Sequence, residues 1–598
     1  MYEAVGAVPV PPARRLPGIG DLAAVAVAAG AALGACWAAP VPVPVVGLAL
    51  LAALVPTLRH PALLVPLAVL VTSALAARSI DGLSEPPPSD VEGWATLVTD
   101  PERFGSSVRT DVRLGGRRYE VWWRTGQAGV VDEHTVGDRL WVTGRAQPAD
   151  ESDRAWFRPR HVAGRLTVEE IGPTSPATPP WSWANRVRAA LEAGTGSFSQ
   201  RDRALAMGFL VGDDRDQPPQ VTDDFRASGL THLTAVSGQN VAFALAVVSP
   251  LLRRRRLVGR FLLTIAVLAL FGFVTRWEPS VMRAAAMAAV TAVGSLVGRP
   301  ARPVRRLALA VTVLLLVDPL LVWSAGFRLS VAATLGIAVL ARPLAERLRG
   351  PRLVRDPLSV TLAAQVGVAP LLLAFGPVPL ASVPANLLAG PAAGMAMMWG
   401  LPAGLLAGWF GEPLAAVLHL PTRLMVAWVA GVARVAAAAP IPTLGPFEVV
   451  VACGVTLAVL ALRRPAWRRS VIGMGIAAVV LSLAAHERPT GHDVASGLEA
   501  WTEDGSVVVA VDRPGPSTAL AMLRRWEIDR IDVLVARSSS VATVEAIDAI
   551  RSRHTVHRVV TYADAGAEGS AVVVAGGLRV TVAPAASGRL AVEVTGPG

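Results

Sequence analysis

Residues 212–248 read GDDRDQPPQVTDDFRASGLTHLTAVSGQNVAFALAVV, and the reading of this stretch decides the fold. An acidic, proline-broken loop runs through Ser228-Gly-Leu-Thr-His232 into an apolar helix. Near the start of that helix stand Ser237, Gly238, Gln239 and Asn240. Hydrogen-bonding side chains at the mouth of a membrane helix are expensive to bury, so they line something polar.

The whole chain supports a membrane reading. Apolar residues make up 53% of 598 positions and the mean hydropathy is +0.48. Apolar runs of about 18 residues or more recur, the length that crosses a bilayer core as a helix. A chain this long also has room for soluble domains. The net charge of +11 sits in short loops. It gathers at Arg253 to Arg256, at Arg299, Arg302, Arg305 and Arg306, at Arg342 to Arg355, and at Arg463 to Arg469. Clusters at helix ends are what the positive-inside rule expects of cytoplasmic loops, so the charge reports topology and not a nucleic-acid patch. The chain has no lysine. Cys36 and Cys453 lie far apart in apolar runs and build neither a disulfide framework nor a thiolate metal site.

The spacing predicts five regions. Residues 1–80 hold apolar helices near 22–39, 43–57 and 62–77; the Ala38-Ala39 end imitates a signal-peptide cleavage site, but the further spans favour a retained anchor. Residues 82–180 alternate with period two and break at glycine pairs, as an antiparallel β unit does; a five-stranded OB-like barrel fits. Within it Trp122 and Trp123 point to opposite faces. One belongs to the barrel core, while the other is either a surface aromatic or a platform on which a base stacks. Residues 181–203 read as an amphipathic interfacial helix with Trp and Arg on different faces. Residues 204–485 form the helical membrane core, and charge parity makes 413–438 interfacial or re-entrant. Residues 486–598 alternate strand and helix, an α/β pattern. The same parity places the β insert and the C-terminal domain outside the cytoplasm. The fold class is thus a polytopic α-helical membrane protein with an OB-like insert and a small C-terminal α/β domain.

Further motifs follow the opening stretch in order: Thr275-Arg276-Trp-Glu278-Pro-Ser-Val-Met-Arg283, Asp318-Pro, Ser324-Ala-Gly-Phe-Arg328-Leu-Ser330, Ala364-Gln365 and Pro384-Ala-Asn386. Across roughly 210–410 the chain resembles the ComEC/Rec-type competence proteins. The resemblance implies an inner-membrane channel that conducts single-stranded DNA into the cytoplasm during natural transformation. By resemblance alone its partners are a DNA receptor and a cytoplasmic helicase, and no cofactor is implied. Where many relatives carry Ser-Gly-Leu-His-Val this chain has Ser237-Gly-Gln-Asn-Val, so a histidine proton relay is lost there while hydrogen bonding is kept. The expected DNA pathway comprises His232, Ser237, Gln239, Asn240, Arg276, Glu278, Arg283, Arg328, Gln365 and Asn386. Arg283 and Arg328 in apolar surroundings need a partner such as Glu278, a backbone carbonyl or a water-filled cavity. Gln365 and Asn386 suit either pore lining or helix–helix adhesion.

Two polar regions carry weaker signals. Asp213, Asp214, Asp216, Asp223 and Asp224 lack EF-hand spacing and read as solvated or helix-capping residues. In many competence channels the C-terminal region resembles a metallo-β-lactamase-like nuclease with a His-x-His-x-Asp-His loop. Here that loop reads Arg537-Ser538-Ser-Ser540-Val-Ala-Thr543, without ligands for a catalytic metal. Asp493 and Asp512 remain from flanking motifs, and His554 and His557 stand too far along. The expectation is a degenerate, metal-free domain in a protein that is not an enzyme. The rival reading is a transporter or flippase of an anionic solute or lipid precursor, binding it with Arg283, Arg328 and Glu278. A membrane hydrolase is the third. Oligomeric state is not encoded in any of these features.

Overall fold

A computed structural model describes residues 19–42, 63–84, 88–104, 107–411, 413–439, 441–462 and 465–484. Between 491 and 595 it describes all but 496, 504, 527, 562–563, 565–570, 576–577 and 585–588. The expected span at 43–57 lies outside the described residues.

Two apolar helices open the described chain, α1 (Ile19–Trp37) and α2 (Leu64–Asp81). The insert then forms β1 (Ser89–Leu97), β2 (Glu102–Phe104), β3 (Ser107–Leu114), β4 (Arg117–Trp123), β5 (Arg139–Pro148) and β6 (Val162–Ser175). Helix α3 (Thr125–Asp132) lies between β4 and β5. The sheet order is β1-β5-β6-β4-β3-β2, and β1 also pairs with β3, which closes five strands into a barrel with β2 as a short flap. The β4–β6 pair is parallel and the other closing pairs are antiparallel. That strand order, with a helix after the third barrel strand, is the Greek-key arrangement of an OB fold. Alternation fills the inside: Leu97, Val108, Val112, Trp123, Leu140 and Val142 are all buried.

Helices α4 (Trp181–Gly194) and α5 (Gln200–Val211) follow where one interfacial helix was expected. Arg188 departs from that expectation. It points inward and is buried, because carboxylates from two other segments meet it there. The core continues with α6 (Pro219–Ala227), a turn at Thr231–Thr234, α7 (Gly238–Val247), α8 (Leu257–Val274), α9 (Pro279–Leu296) and α10 (Pro303–Val317). Then come α11 (Ala325–Gly336), extended through a π-helical stretch to Arg347, α12 (Arg352–Leu372), α13 (Ser382–Phe410) and α14 (Leu420–Ala438). Helices α15 (Pro446–Ala461) and α16 (Pro465–Ala484) complete it.

The described residues include seven helices long and apolar enough to cross a membrane: α1, α2, α8, α9, α11 with its extension, α13 and α14. The segment 413–438, expected to be interfacial or re-entrant, breaks at His419, and α14 beyond it is among the seven. Of its polar residues, His419 is absorbed by packing, while Arg423 and Arg434 stay exposed. His419 is fully buried, with Nδ1 3.3 Å from the Thr422 hydroxyl and its ring edge-on to Phe198.

Small residues let the core helices touch. A Cβ on Gly336 of α11 would collide with the Ala363 carbonyl of α12, and one on Gly367 with the Ala332 carbonyl. Ala332-x-x-x-Gly336 therefore faces Ala363-x-x-x-Gly367, the small-x-x-x-small spacing of close helix pairs in bilayers.

The C-terminal domain has a five-stranded sheet of β7 (Gly491–Ala495), β8 (Leu498–Glu503), β9 (Ser506–Val511), β10 (Arg530–Ala536) and β11 (Thr555–Val560), in the order β11-β10-β9-β8-β7, whose β9, β10 and β11 run parallel. Its connections α17 (Pro516–Arg525) and α18 (Val541–Arg553) cover one face over Leu520, Leu523, Ala546 and Ile550. A three-stranded sheet of β12 (Ala571–Ala575), β13 (Leu578–Pro584) and β14 (Leu590–Thr595) packs on the other face through Leu578, Val580 and Val582.

Candidate functional site

The opening stretch folds back on itself. Ser237 caps α7, its hydroxyl accepting from the Gln239 amide at 3.2 Å and donating to Asn240 Oδ1 at 3.2 Å. Asn240 is buried and its Nδ2 donates to the Phe209 carbonyl at 2.8 Å. Two helices, α9 and α13, close around this cap. The Ser280 hydroxyl donates to the Val236 carbonyl, the Arg283 guanidinium presses against Gly238, and the Gln239 amide lies against Gly394 of α13. Arg283 is buried and donates from Nε to the Ser330 hydroxyl at 2.7 Å, tying α9 to α11.

A second file of polar groups adjoins it. Asn386 hydrogen-bonds to His232 and donates from Nδ2 to the Ser382 carbonyl at 2.7 Å. Gln365 Nε2 donates to the Ser382 hydroxyl at 2.9 Å, leaving its Oε1 buried without a partner. Gly229, held at φ +68°, wedges against Ser382 where a side chain would not fit. His232, Gln239 and Glu278 differ from the buried members: water reaches all three. All three are exposed side chains at the edge of the buried cap. Burial first, then the neighbouring Asp214, push the Glu278 carboxyl up to about 7 against the pull of Arg188.

Nine of the ten expected pathway residues thus lie on the 231–240 turn and the elements around it. Arg328 does not join them. It is two residues from Ser330, on the opposite side of α11, exposed and within electrostatic reach of Cys36 of α1. Neither arginine takes the carboxylate proposed for it from sequence: Arg283 uses the Ser330 hydroxyl, and no described ion pair joins Glu278 to Arg283 or Arg328. The compact anion site of the transporter reading is not assembled.

Arg276 has another task. Its Nε and Nη2 grip Asp100 of the barrel at 2.8 and 2.9 Å. Arg188 approaches the same carboxylate at 3.6 Å and pairs with Asp213, which Arg215 also holds at 2.6 and 2.7 Å. Burial would raise the Asp213 carboxyl, but the Arg215 hydrogen bonds and the Arg188 charge outweigh it and bring it down to about 2. The loop is strained to reach: Arg276 and Trp277 both have φ near +55 to +58°, unusual for bulky side chains. A second contact joins His161 Nε2 to Asp318 at 2.9 Å, with Arg158 stacked over Trp323 at 5.1 Å. The barrel therefore sits on the two loops that start α9 and α11.

The acidic residues read as solvated or capping are corrected by these pairs. Asp213, Asp223 and Asp224 are largely shielded from water and held by arginines from distant segments. The sequence signal was the excess of arginine itself, which topology did not exhaust. No group of three or more potential metal ligands occurs among the described residues.

On the barrel, Trp123 is core, its Nε1 donating to the Thr110 hydroxyl at 2.8 Å. Trp122 is 44% exposed and meets Phe104 at 5.4 Å between ring centroids. Arg109 lies over Phe104 at 5.0 Å and over Trp156 at 5.6 Å, and Arg160 over Trp156 at 4.9 Å. In the C-terminal domain the Ser538, Ser540 and Thr543 hydroxyls bond one another at 2.8 to 3.2 Å.

The barrel and the seven long apolar helices together mark a multi-pass membrane protein. Residues 209–468 match the family model described as "Competence protein". Across that core the chain is similar to the ComEC-type competence proteins. It is 28% identical over 228 residues to the "ComE operon protein 3" of Bacillus subtilis (strain 168), a match covering 38% of this chain and 29% of that relative. The aligned part thus spans less than a third of the relative's length. No solved structure matches.

Proposed function

We propose that this protein admits single-stranded DNA through the membrane core in natural transformation. The observation that carries the reading is the set of water-reached polar groups His232, Gln239 and Glu278 beside the buried Ser237–Asn240 cap, within the competence-family region. Neutral amides and a histidine can hydrogen-bond phosphates without trapping them, which conduction requires. The barrel and the C-terminal domain lie on the extracytoplasmic side in this reading, and a receptor and a helicase deliver and pull the strand. The C-terminal domain does not hydrolyse DNA: hydroxyl groups bonded to one another occupy the loop where the resemblance expects metal ligands.

The test is import of a fluorescent oligonucleotide into vesicles holding the full chain, beside transformation frequency in a deletion strain. Uptake at the wild-type level without the gene removes the proposal. The Glu278 carboxyl adds a pH signature. Its raised value leaves it neutral below about pH 7 and anionic above, so it repels phosphate only on the alkaline side. Import should fall severalfold between pH 6 and 8, and Glu278→Gln should abolish that slope while keeping the high plateau.

The exposed barrel aromatics supply a landing face. Trp122→Ala with Phe104→Ala should weaken oligonucleotide binding by about 1–3 kcal/mol for each base that loses its ring. Thermal stability should barely move, because both rings are largely exposed. Unchanged affinity in a fluorescence-anisotropy titration would leave these rings as surface aromatics only.

A further inference from the structure

The C-terminal domain touches the core through charges. Arg524, in the last turn of α17, donates from Nη2 to Asp223 at 2.6 Å and from Nη1 to the Asp223 carbonyl at 3.4 Å. Arg553, the last residue of α18, pairs with Asp224 and reaches Asp223 at 3.5 Å. Gln220 to Ser552 Oγ at 3.5 Å and Arg226 to the Ser517 carbonyl at 3.4 Å complete the contact. The two arginines stand at helix C-termini, where cations are favoured. The two aspartates lie on α6, with Asp223 fully buried. Among the described residues, each cluster of buried apolar side chains stays on one side of this boundary. A polar interface of this kind opens more readily than an apolar one and resembles a transient contact.

Helix α6 is joined directly to the polar turn. Its other face packs Val221 and Phe225 into the core cluster with α14. At its end the Ser228 amide donates to the Asp224 carbonyl, and the Leu230 amide to the Phe225 carbonyl. Gly229 then wedges on Ser382, and His232 follows against Asn386. From Asp224 to His232 there is no slack segment, so a shift of α6 is a shift of the turn.

We propose that the C-terminal domain is a releasable clamp on α6, with Asp223 and Asp224 as positioning residues that set the Gly229–His232 turn. Its consequence for DNA passage rests on the uptake reading; the mechanical coupling does not. The clamp gives the C-terminal domain a part in the core's function. A partner that loosens the two arginines would act on the turn from outside it.

The test uses the full chain in lipid nanodiscs, with Cys36→Ser and Cys453→Ser, and Thr231→Cys as reporter for a water-soluble maleimide. Arg524→Ala with Arg553→Ala should change the labelling rate by roughly fivefold or more. Arg524→Lys with Arg553→Lys keeps the charge and should stay closer to the parent, and it serves if the alanine pair does not fold. Hydrogen exchange should show matching loss of protection at 224–232. Labelling and exchange at parental values in the folded variants would overturn the clamp. If the parent passes no oligonucleotide, the uptake reading falls, while the labelling result still decides the clamp.

Discussion

Replacing Arg188 with leucine should cost about 3 kcal/mol of stability, the low end for breaking a buried ion pair by removing one partner. Its side chain is 9% exposed, and it serves Asp213, Asp100 and the Val211 and Val274 carbonyls at once. Leucine fills much of the volume but leaves two carboxylates short of positive charge and two carbonyls short of a donor. Arg215 and Arg276 keep part of the compensation, which is why the loss stays at the lower end. Denaturant unfolding of the full chain in detergent measures it. The pH dependence identifies the cause. Asp213 is held at about 2, below its ordinary value near about 3.9, so its stabilisation is complete above the ordinary value and vanishes as pH falls through the lower one. The gap between parent and variant should therefore narrow on acidification below about pH 4. Arg188→Leu with Asp213→Leu should be milder than the two single losses added, the mark of a direct pair. A gap that is independent of pH would assign the loss to packing.

Gly336→Val and Gly367→Val should each destabilise by about 3 kcal/mol, the upper part of the overpacking range. The obstacle is backbone: each new Cβ meets a carbonyl oxygen of the facing helix, which cannot rotate aside as a side chain does. α11 and α12 must separate, and Arg283 on α9 then loses its Ser330 partner on α11. The same change at Gly454, where a Cβ meets nothing within 4 Å, should be nearly neutral. Thermal melts of detergent-solubilised protein separate the two outcomes. Equal melting temperatures at 336, 367 and 454 would mean that this helix contact is looser than described.

Local pattern carried far in this chain. Hydropathy located α1 and α2 within a few residues of the runs at 22–39 and 62–77, because a bilayer demands long apolar runs whatever their neighbours. Period-two alternation and glycine breaks announced the barrel, and adjacency alone separated Trp122 from Trp123. Polar groups stand out against an apolar background, so the Ser237–Asn240 cap and the His232–Asn386 contact fall among residues that the sequence singles out.

Partnership was not legible. For Arg283 the sequence left Glu278, a backbone carbonyl or a water-filled cavity open, and the structure gives it Ser330; Arg276 grips Asp100, 176 residues away. Asp223 and Asp224 looked solvated, and arginines about 300 residues later bury them. Hydropathy, alternation and capping are properties of neighbours along the chain, so residue order determined the membrane helices, the barrel and the polar turn. Which charge answers which, and which polar groups water reaches, depends on distances between segments far apart in sequence. Long-range packing sets those distances, and only the tertiary structure decided them.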